Sequence, residues 1–452
     1  MSASFTITAL PYAQDPLALF ARLKHRPGAI LLDSGRPAAK SGRFDILVSD
    51  PIATLEIDAR GAVALDTDTL VPPRALLDDP FALKAWLLAQ LPPPVEKSEL
   101  PFMGGLMGYW SYEFGLAQQG IESRHESATS LPAARLGLYD WCITLDHHAD
   151  QAWLVASPAR RDTVLAWLDA PAPEPDDFRL TGAFEAELDQ RAYVERFEAV
   201  QRYIRAGDCY QINLAQRLSA PFEGDAWQAY QRLRRATPTP FSAFMAWKDQ
   251  AVLSLSPERF IQVASGEVET RPIKGTRARG KTPAEDQALA EALLASVKDR
   301  AENVMIVDLL RNDLGRVCRP GSIHVPKLCA LESYPNVHHL VSVVQGTLAE
   351  DQSALSLLAA AFPGGSITGA PKFRAMQIID ELEPCQRSVY CGSLGYVDVR
   401  GHMDTSIAIR TMVADQGALH VWGGGGLVAD SQAQEEYTET LDKICHLIGA
   451  LE

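Results

Sequence analysis

The stretch R-P-I-K-G-T, Arg271–Thr276, sets one lysine, Lys274, between a proline and a glycine. It follows the run L-S-L-S-P-E-R-F (Leu253–Phe260), a turn at Ser265-Gly266 and a second β-rich run, Val268–Thr270. Together these predict a hairpin that delivers the lysine at a rigid strand end. Burial there would lower the amine's pKa and free it for nucleophilic attack. A solvated surface lysine fits the same pattern. The residues around it in the fold must decide.

Acids come next. A helix is predicted from Glu291 to Asp313, with Met305, Ile306 and Leu309 on the face of Glu302. An acid on an apolar stripe costs several kcal/mol unless it is paired or binds a cation, so Glu302 either meets Lys298 one turn back or faces a metal. A second helix is predicted from about Gln432 to the C-terminus, capped by Asp430 or Ser431. Glu439 and Lys443 share its face at i, i+4, either as an ordinary surface ion pair or as a metal ligand and a carboxylate-binding cation. Two carboxylates on separate helices, with no Cys or His cluster beside them, suit Mg²⁺ rather than zinc.

The run F-P-G-G-S-I-T-G-A-P-K at 362–372 leads glycine-rich backbone into a helix, with Pro371 expected at its first position. Such a turn can present free N–H groups to an anion, or serve as a plain turn. The P-loop pattern is not met, because Ala370 and Pro371 separate Gly369 from Lys372, so a carboxylate suits it better than a nucleotide. S-I-A-I-R-T at 406–411 reads as a strand carrying Arg410 between apolar residues, suited to a bidentate carboxylate contact. Jointly these segments describe a pocket with a divalent cation, two or more carboxylate sites, a candidate acid in Glu258, and Lys274.

The bulk composition narrows the class of protein. With 452 residues, 47% hydrophobic and 22% charged, the chain has the make-up of a soluble globular enzyme of two or three domains, or one large two-lobed unit. A formal charge of −15 without a basic run excludes a general nucleic-acid binder but not an anionic small substrate. The first residues show no signal-peptide pattern, and no window of about 18 apolar residues could span a membrane. Seven scattered cysteines without C-x-x-C indicate neither a disulfide framework nor a zinc site. A cytoplasmic enzyme is expected.

Several elements must position these groups. Short alternating runs at 30–35, 44–51 and 53–57 predict antiparallel strands, with helices near 16–25 and 80–91. A linker near Leu91, a glycine-rich strand at 102–110, strands at 136–146 and 152–156 and a second linker at 170–177 follow. An amphipathic helix, Gln190 to Ala206, should stop at Gly207, and 209–217 should be a strand. Beyond it helices and strands alternate without the spacing of a Rossmann fold.

The motifs S-P-E-R-F, R-P-I-K-G-T, K-D-R-A-E-N-V-M-I-V-D-L, H-H-L-V-S, P-G-G-S-I-T-G-A-P-K, M-D-T-S-I-A-I-R-T and G-G-G-G-L-V-A-D-S together resemble the chorismate-utilising enzymes. The likeness is dense over 190–452 and looser before it, through L-L-D-S-G and S-R-F-D-I. Within that family it is strongest to the aminodeoxychorismate synthase component I branch. The resemblance implies an α+β fold: two antiparallel β-sheets packed as a sandwich with helices outside. An N-terminal sheet-forming part, 1–180, and a chorismate-binding part, 181–452, would be intertwined, and the linker at 170–177 would be a surface insertion. It further implies Mg²⁺ on Glu302 and Glu439, and Glu258 as the acid that protonates the departing 4-hydroxyl. Thr368, Gly369, Ala370, Arg410, Lys443, His339, Gln211 and Gly426 would surround chorismate. Lys274 would attack C2, ammonia from a separate glutamine amidotransferase subunit would add at C4, and the product would be 4-amino-4-deoxychorismate. A downstream aminodeoxychorismate lyase would convert that product to 4-aminobenzoate for folate.

Two branches of the family are disfavoured on single residues. Anthranilate synthases usually read P-I-A-G-T and need no lysine nucleophile, whereas this chain reads P-I-K-G-T. Isochorismate and salicylate synthases carry a base lysine where Gln211 stands, and an amide cannot activate water. A catalytically silent chorismate- or tryptophan-binding regulator would not need Glu258, Lys274, Glu302 and Glu439 together. L-L-D-S-G resembles the family's tryptophan pocket, which makes bound tryptophan a second ligand to test, with Ser34, Arg43, Pro240 and Phe241 as lining residues. Asp33 stands where many feedback-sensitive members have Glu. An ordinary sheet core would account for the same residues.

Overall fold

The computed structural model describes residues 4–452 except 40, 96, 128, 175, 335 and 336, so Glu96 and Pro175 of the two linkers lie outside the described residues. Two antiparallel sheets, of 13 and 11 strands among the described residues, carry the chain. Both halves of the sequence enter both sheets. In the first, Ala29–Asp33 pairs with Phe241–Trp247; in the second, Gly105–Trp110 pairs with Ser393–Asp398.

Period-2 alternation explains how one sheet serves two cores. Ile30, Ile46 and Val252 point into a cluster that also holds Leu106, Leu136 and Ile261 of the second sheet. Their neighbours Leu31, Leu47 and Leu253 point the other way, into a cluster with Trp227, Leu233, Ile444 and Leu447 from outer helices. The result is the sandwich with helices outside. Each fully buried leucine or isoleucine contributes roughly 1.5–3 kcal/mol to holding the layers together.

The helix Gln190–Ala206 forms as its sequence predicts. Asp189 caps it by accepting from the Ala192 amide at 2.7 Å. Tyr193, Phe197 and Val200 make its buried stripe, and Gly207 ends it at φ 84°.

Four local expectations need correction. The predicted Glu291–Asp313 helix is two helices, Pro283–Ala295 and Val297–Leu314. Ser296 separates them because its hydroxyl accepts from the Asp299 amide at 3.2 Å, which takes its own backbone into the extended region. Pro371 stands before its helix, Lys372–Leu382, with extended backbone at ψ 140° instead of at the first helical position. The last helix, Ala433–Gly449, has no side-chain cap from Asp430 or Ser431; the Ser431 hydroxyl donates to Glu436 instead, at 2.6 Å. The helix expected at 16–25 is a single turn, Leu17–Phe20. No described helix is long and apolar enough to cross a membrane.

Candidate active site

The hairpin Arg259–Ala264/Glu267–Thr270 turns at Ser265 and Gly266, both at positive φ, and leads into the strand Ile273–Ala278. That strand pairs with Val337–Thr347, and its register shifts between Lys274 and Thr276. The bulge centres on Gly275 at φ 75°, where a Cβ would meet the Asp299 side chain at 2.9 Å. Lys274 is thereby turned off the strand into a cavity of about 560 Å³.

The last helix closes another wall of this cavity. It lies against the strand Ala418–Leu427, where a Cβ on Gly423 would stand 2.0 Å from the Thr440 carbonyl. Only glycine permits that approach, which explains part of the G-G-G-G run and brings Glu439 and Lys443 to the cavity. The break at Ser296 does the same for Glu302, in the second turn of Val297–Leu314.

Glu258, Lys274, Glu302, His339, Arg410, Gly426, Glu439 and Lys443 all line this one cavity. Burial pushes the Glu258 carboxyl up to about 7 against the opposing charge of Lys274. Desolvation lowers the Lys274 amine, and Glu302 and Glu258 work against that. Burial raises Glu302, which has neither a side-chain hydrogen bond nor an ion pair among the described residues; Lys298 reaches Glu436 instead, at 3.9 Å. Burial also acts to raise Glu439, but Lys443 at 2.7 Å outweighs it and holds the carboxyl below its ordinary range. His339, pushed down to about 4 by burial and then by Arg410, is neutral and shares a 2.9 Å hydrogen bond with Thr276.

Arg410 reaches the cavity by a different route from the one predicted. It lies in the bend between Met403–Ile407 and Thr411–Asp415, at φ 50°, and not on a strand. Its guanidinium is desolvated and has no carboxylate partner among the described residues. A buried cation without an anion is suited to receive one from a ligand.

Four predicted residues do not line the cavity. Thr368 is fully buried, and its hydroxyl donates to the Gly364 carbonyl at 3.0 Å. Gly369 and Ala370 form a two-residue strand on Gln211–Gly224, and the Tyr210 amide donates to the Ala370 carbonyl at 2.7 Å. From this loop Ser366 and Ile367 face the cavity instead. Lys372 is turned away as well, donating to Asp313 at 2.7 Å, so no phosphate cradle forms. Gln211 sits just behind the wall; a Cβ on Gly426 would meet its Nε2 at 2.8 Å, and both its amide atoms are buried without a partner.

Ser366, Asn213 and Glu436 line the cavity without having been anticipated. Ser366 lies inside P-G-G-S-I-T-G-A-P-K, and Glu436 stands three residues before Glu439, one helical turn away, a spacing that puts both on one face. Among the described residues no three His, Cys, Asp or Glu side chains form a complete metal cage. Two oxygen donors that leave room for water and a ligand are what Mg²⁺ accepts, so Glu302 and Glu439 fit that ion.

A second cavity, of about 660 Å³, is lined by Ser34, Arg43, Pro240 and Phe241 together. The Ser34 hydroxyl is buried there without a partner. Asp33 is engaged elsewhere: Arg234 reaches it at 2.5 Å, and the Tyr230 hydroxyl donates to it at 2.8 Å. Arg43 pairs with Asp146 at 2.8 Å.

Comparison with known proteins agrees with this architecture. The family model described as chorismate binding enzyme matches residues 38–449. Aminodeoxychorismate synthase component 1 of Salmonella typhimurium is 47% identical over 450 residues, covering 99% of this chain and 98% of that protein. Its Escherichia coli counterpart is 45% identical over 452 residues, covering 99% and 98%. Among solved structures, anthranilate synthase component I from Streptococcus pneumoniae superposes with a TM-score of 0.79 at 31% identity, covering 91% of this chain and 93% of that one. With its sandwich fold and sequence matched over nearly their whole length, this chain belongs to the chorismate binding enzyme family, alongside the relatives named aminodeoxychorismate synthase component 1.

Proposed function

We propose that this enzyme aminates chorismate at C4, giving 4-amino-4-deoxychorismate, with ammonia delivered by a glutamine amidotransferase subunit. The observation that carries the reading is Lys274, an amine of lowered pKa between the Glu258 acid and the Glu302 carboxylate in one cavity. An enzyme that only eliminates pyruvate after amination has no use for it. The names of the relatives, each a component 1, support a second component.

The neutral Lys274 amine forms a bond to C2 as the ring double bonds shift and the C4–O bond breaks. Glu258, about half protonated near neutral pH, gives its proton to the departing hydroxyl, which leaves as water. The substituted nitrogen of Lys274 then gives its extra proton to the Glu258 carboxylate. Ammonia adds at C4 as the double bonds shift back and the C2–N bond breaks. Glu258 returns the proton to the departing Lys274 nitrogen and takes one from the new C4 ammonium, which leaves Lys274 a neutral amine and Glu258 an acid again. Arg410 and Lys443 bind carboxylates, and neutral His339 lines the same cavity without adding charge. Glu302 and Glu439 would hold Mg²⁺, which supplies positive charge for the ring carboxylate when bound. The product suits a lyase that removes pyruvate to leave 4-aminobenzoate.

Tryptophan is a second ligand, proposed for the other cavity because the Ser34 hydroxyl lacks a partner there and Pro240 and Phe241 offer an apolar wall.

The experiment is product identification from purified chain, chorismate, Mg²⁺ and ammonium salt. A product with one amine replacing one hydroxyl and the pyruvyl group retained, converted to 4-aminobenzoate by an added lyase, is expected. Fluorescent anthranilate with free pyruvate would overturn the reading.

A further inference from the structure

We propose that Ser366 is a positioning residue that couples the acid to the nucleophile, its hydroxyl fixing Glu258 and its carbonyl directing Lys274. The inference rests on the function proposed above. The Ser366 hydroxyl donates to Glu258 Oε1 at 3.2 Å, and the Ser366 carbonyl accepts from Lys274 Nζ at 3.4 Å. No other described residue hydrogen-bonds both side chains.

The turn that presents Ser366 is held from behind. Thr368 donates to the Gly364 carbonyl at 3.0 Å, and the buried Arg387 donates to the Ile367 carbonyl at 2.9 Å and to Glu383. Ser366 therefore cannot drift when Glu258 changes charge. Glu258 is equally fixed in its backbone, which accepts from the Ile407 amide at 3.0 Å. Around its carboxyl stand Lys274, the Ile273 amide and Ser366. Arg259, the next residue, is committed to Asp404 at 3.0 Å, and the Leu310 and Ile407 side chains nearby carry no charge.

The consequence is chemical. A carboxyl has two oxygens, and only one can carry the proton to be donated. With Oε1 accepting from Ser366, the proton rides on Oε2. As that proton leaves, charge develops on the carboxylate and the Ser366 hydrogen bond strengthens, because a bond to a charged acceptor is worth about twice one to a neutral acceptor. The stabilisation appears in the transition state more than in the ground state, so it raises kcat.

Ser366→Ala removes the hydroxyl and leaves the carbonyl in place. It should lower kcat about 10- to 100-fold with KM nearly unchanged, while Ser366→Thr restores most of the rate. The alkaline limb of the pH–rate profile should move upward in Ser366→Ala, since the charged carboxylate has lost a donor. Equal losses in Ser366→Ala and Ser366→Thr, a changed KM alone, or an unmoved alkaline limb would overturn the role. Infrared titration of the protonated carboxyl band, with Glu258→Gln as the blank, decides the matter without turnover. The band should persist to higher pH in Ser366→Ala, and superimposable titrations would sink the inference even if wild-type turnover is as expected. A wild-type chain that does not aminate chorismate would instead remove the functional reading, leaving the infrared result to judge Ser366.

Discussion

Lys443 Nζ lies 2.7 Å from Glu439 Oε1, and the same ammonium donates to the Gly424 carbonyl at 2.8 Å. One candidate Mg²⁺ ligand is thus neutralised by its own helix, while Glu302 forms no ion pair among the described residues and feels Lys274 and Lys298 only at longer range. Glu302→Gln should consequently raise the Mg²⁺ concentration needed for half-maximal activity by about 10- to 100-fold. A metal titration that superimposes on wild type would remove Glu302 from the ligand set.

Lys274 is the residue that separates the proposed reaction from its relatives. Lys274→Ala should abolish most glutamine-dependent activity, with added ammonium salt restoring part of it by direct attack on the ring. A loss of at least about a hundredfold is expected for removal of a nucleophile. Mass spectrometry of rapidly quenched wild-type protein should find an adduct on Lys274 that the variant lacks. An unchanged rate would take the lysine out of the mechanism.

Burial of Glu258 has a cost that depends on pH. Its folded pKa, about 7, lies above the ordinary carboxyl value, so between about 4.5 and 7 the native state holds more protons than the unfolded chain. The sign follows: this group's contribution to stability falls as pH rises through that window. Glu258→Gln cannot ionise and should be more stable than wild type at pH 8, on the order of 1–3 kcal/mol, yet lose most of its turnover. Denaturant unfolding at pH 5 and pH 8 tests this, and an equal stability difference at both would show that the carboxyl is not strained by charge.

Asp33 makes the opposite kind of contribution. It is buried with Arg234 and Tyr230, and its partner cation is buried too. Asp33→Ala leaves that guanidinium without its carboxylate and should cost about 3–5 kcal/mol, read as a lowered denaturant midpoint. An unaltered midpoint would mean that Asp15, at 3.5 Å from Arg234, carries the charge balance alone.

What the sequence reveals depends on how local the cause is. The helix Gln190–Ala206 was legible because its apolar stripe and the glycine that ends it follow directly along the chain. The Ser265–Gly266 turn was legible for the same reason. Ser296 was not, since a serine between two helix-forming runs breaks them only if its hydroxyl prefers the Asp299 amide. The apolar flanks of Arg410 predict a strand, whereas the left-handed bend arises from how two strands of different sheets are joined. Thr368, Gly369 and Ala370 sit in a recognisable motif, yet strand pairing with 211–212 takes up Gly369 and Ala370 and the Gly364 carbonyl takes the Thr368 hydroxyl, which no spacing rule reports.

The second cavity provides the last test. Asp33 faces the helix Ala226–Ala236, so it offers the ligand no free carboxylate, and the unpartnered hydroxyl there belongs to Ser34. Tryptophan has an apolar ring for Pro240 and Phe241 and polar ends for Ser34, and should bind with the negative heat-capacity change of apolar burial. Ser34→Ala removes the hydroxyl without adding bulk to this buried position, and should weaken binding by about 10-fold, the worth of one hydrogen bond. Calorimetry on wild type and variant reads both quantities, after denaturation and refolding has freed the protein of any tryptophan carried through purification. Retained affinity in Ser34→Ala would mean that the hydroxyl faces something other than the ligand, and no heat with wild type would return this cavity to plain sheet packing.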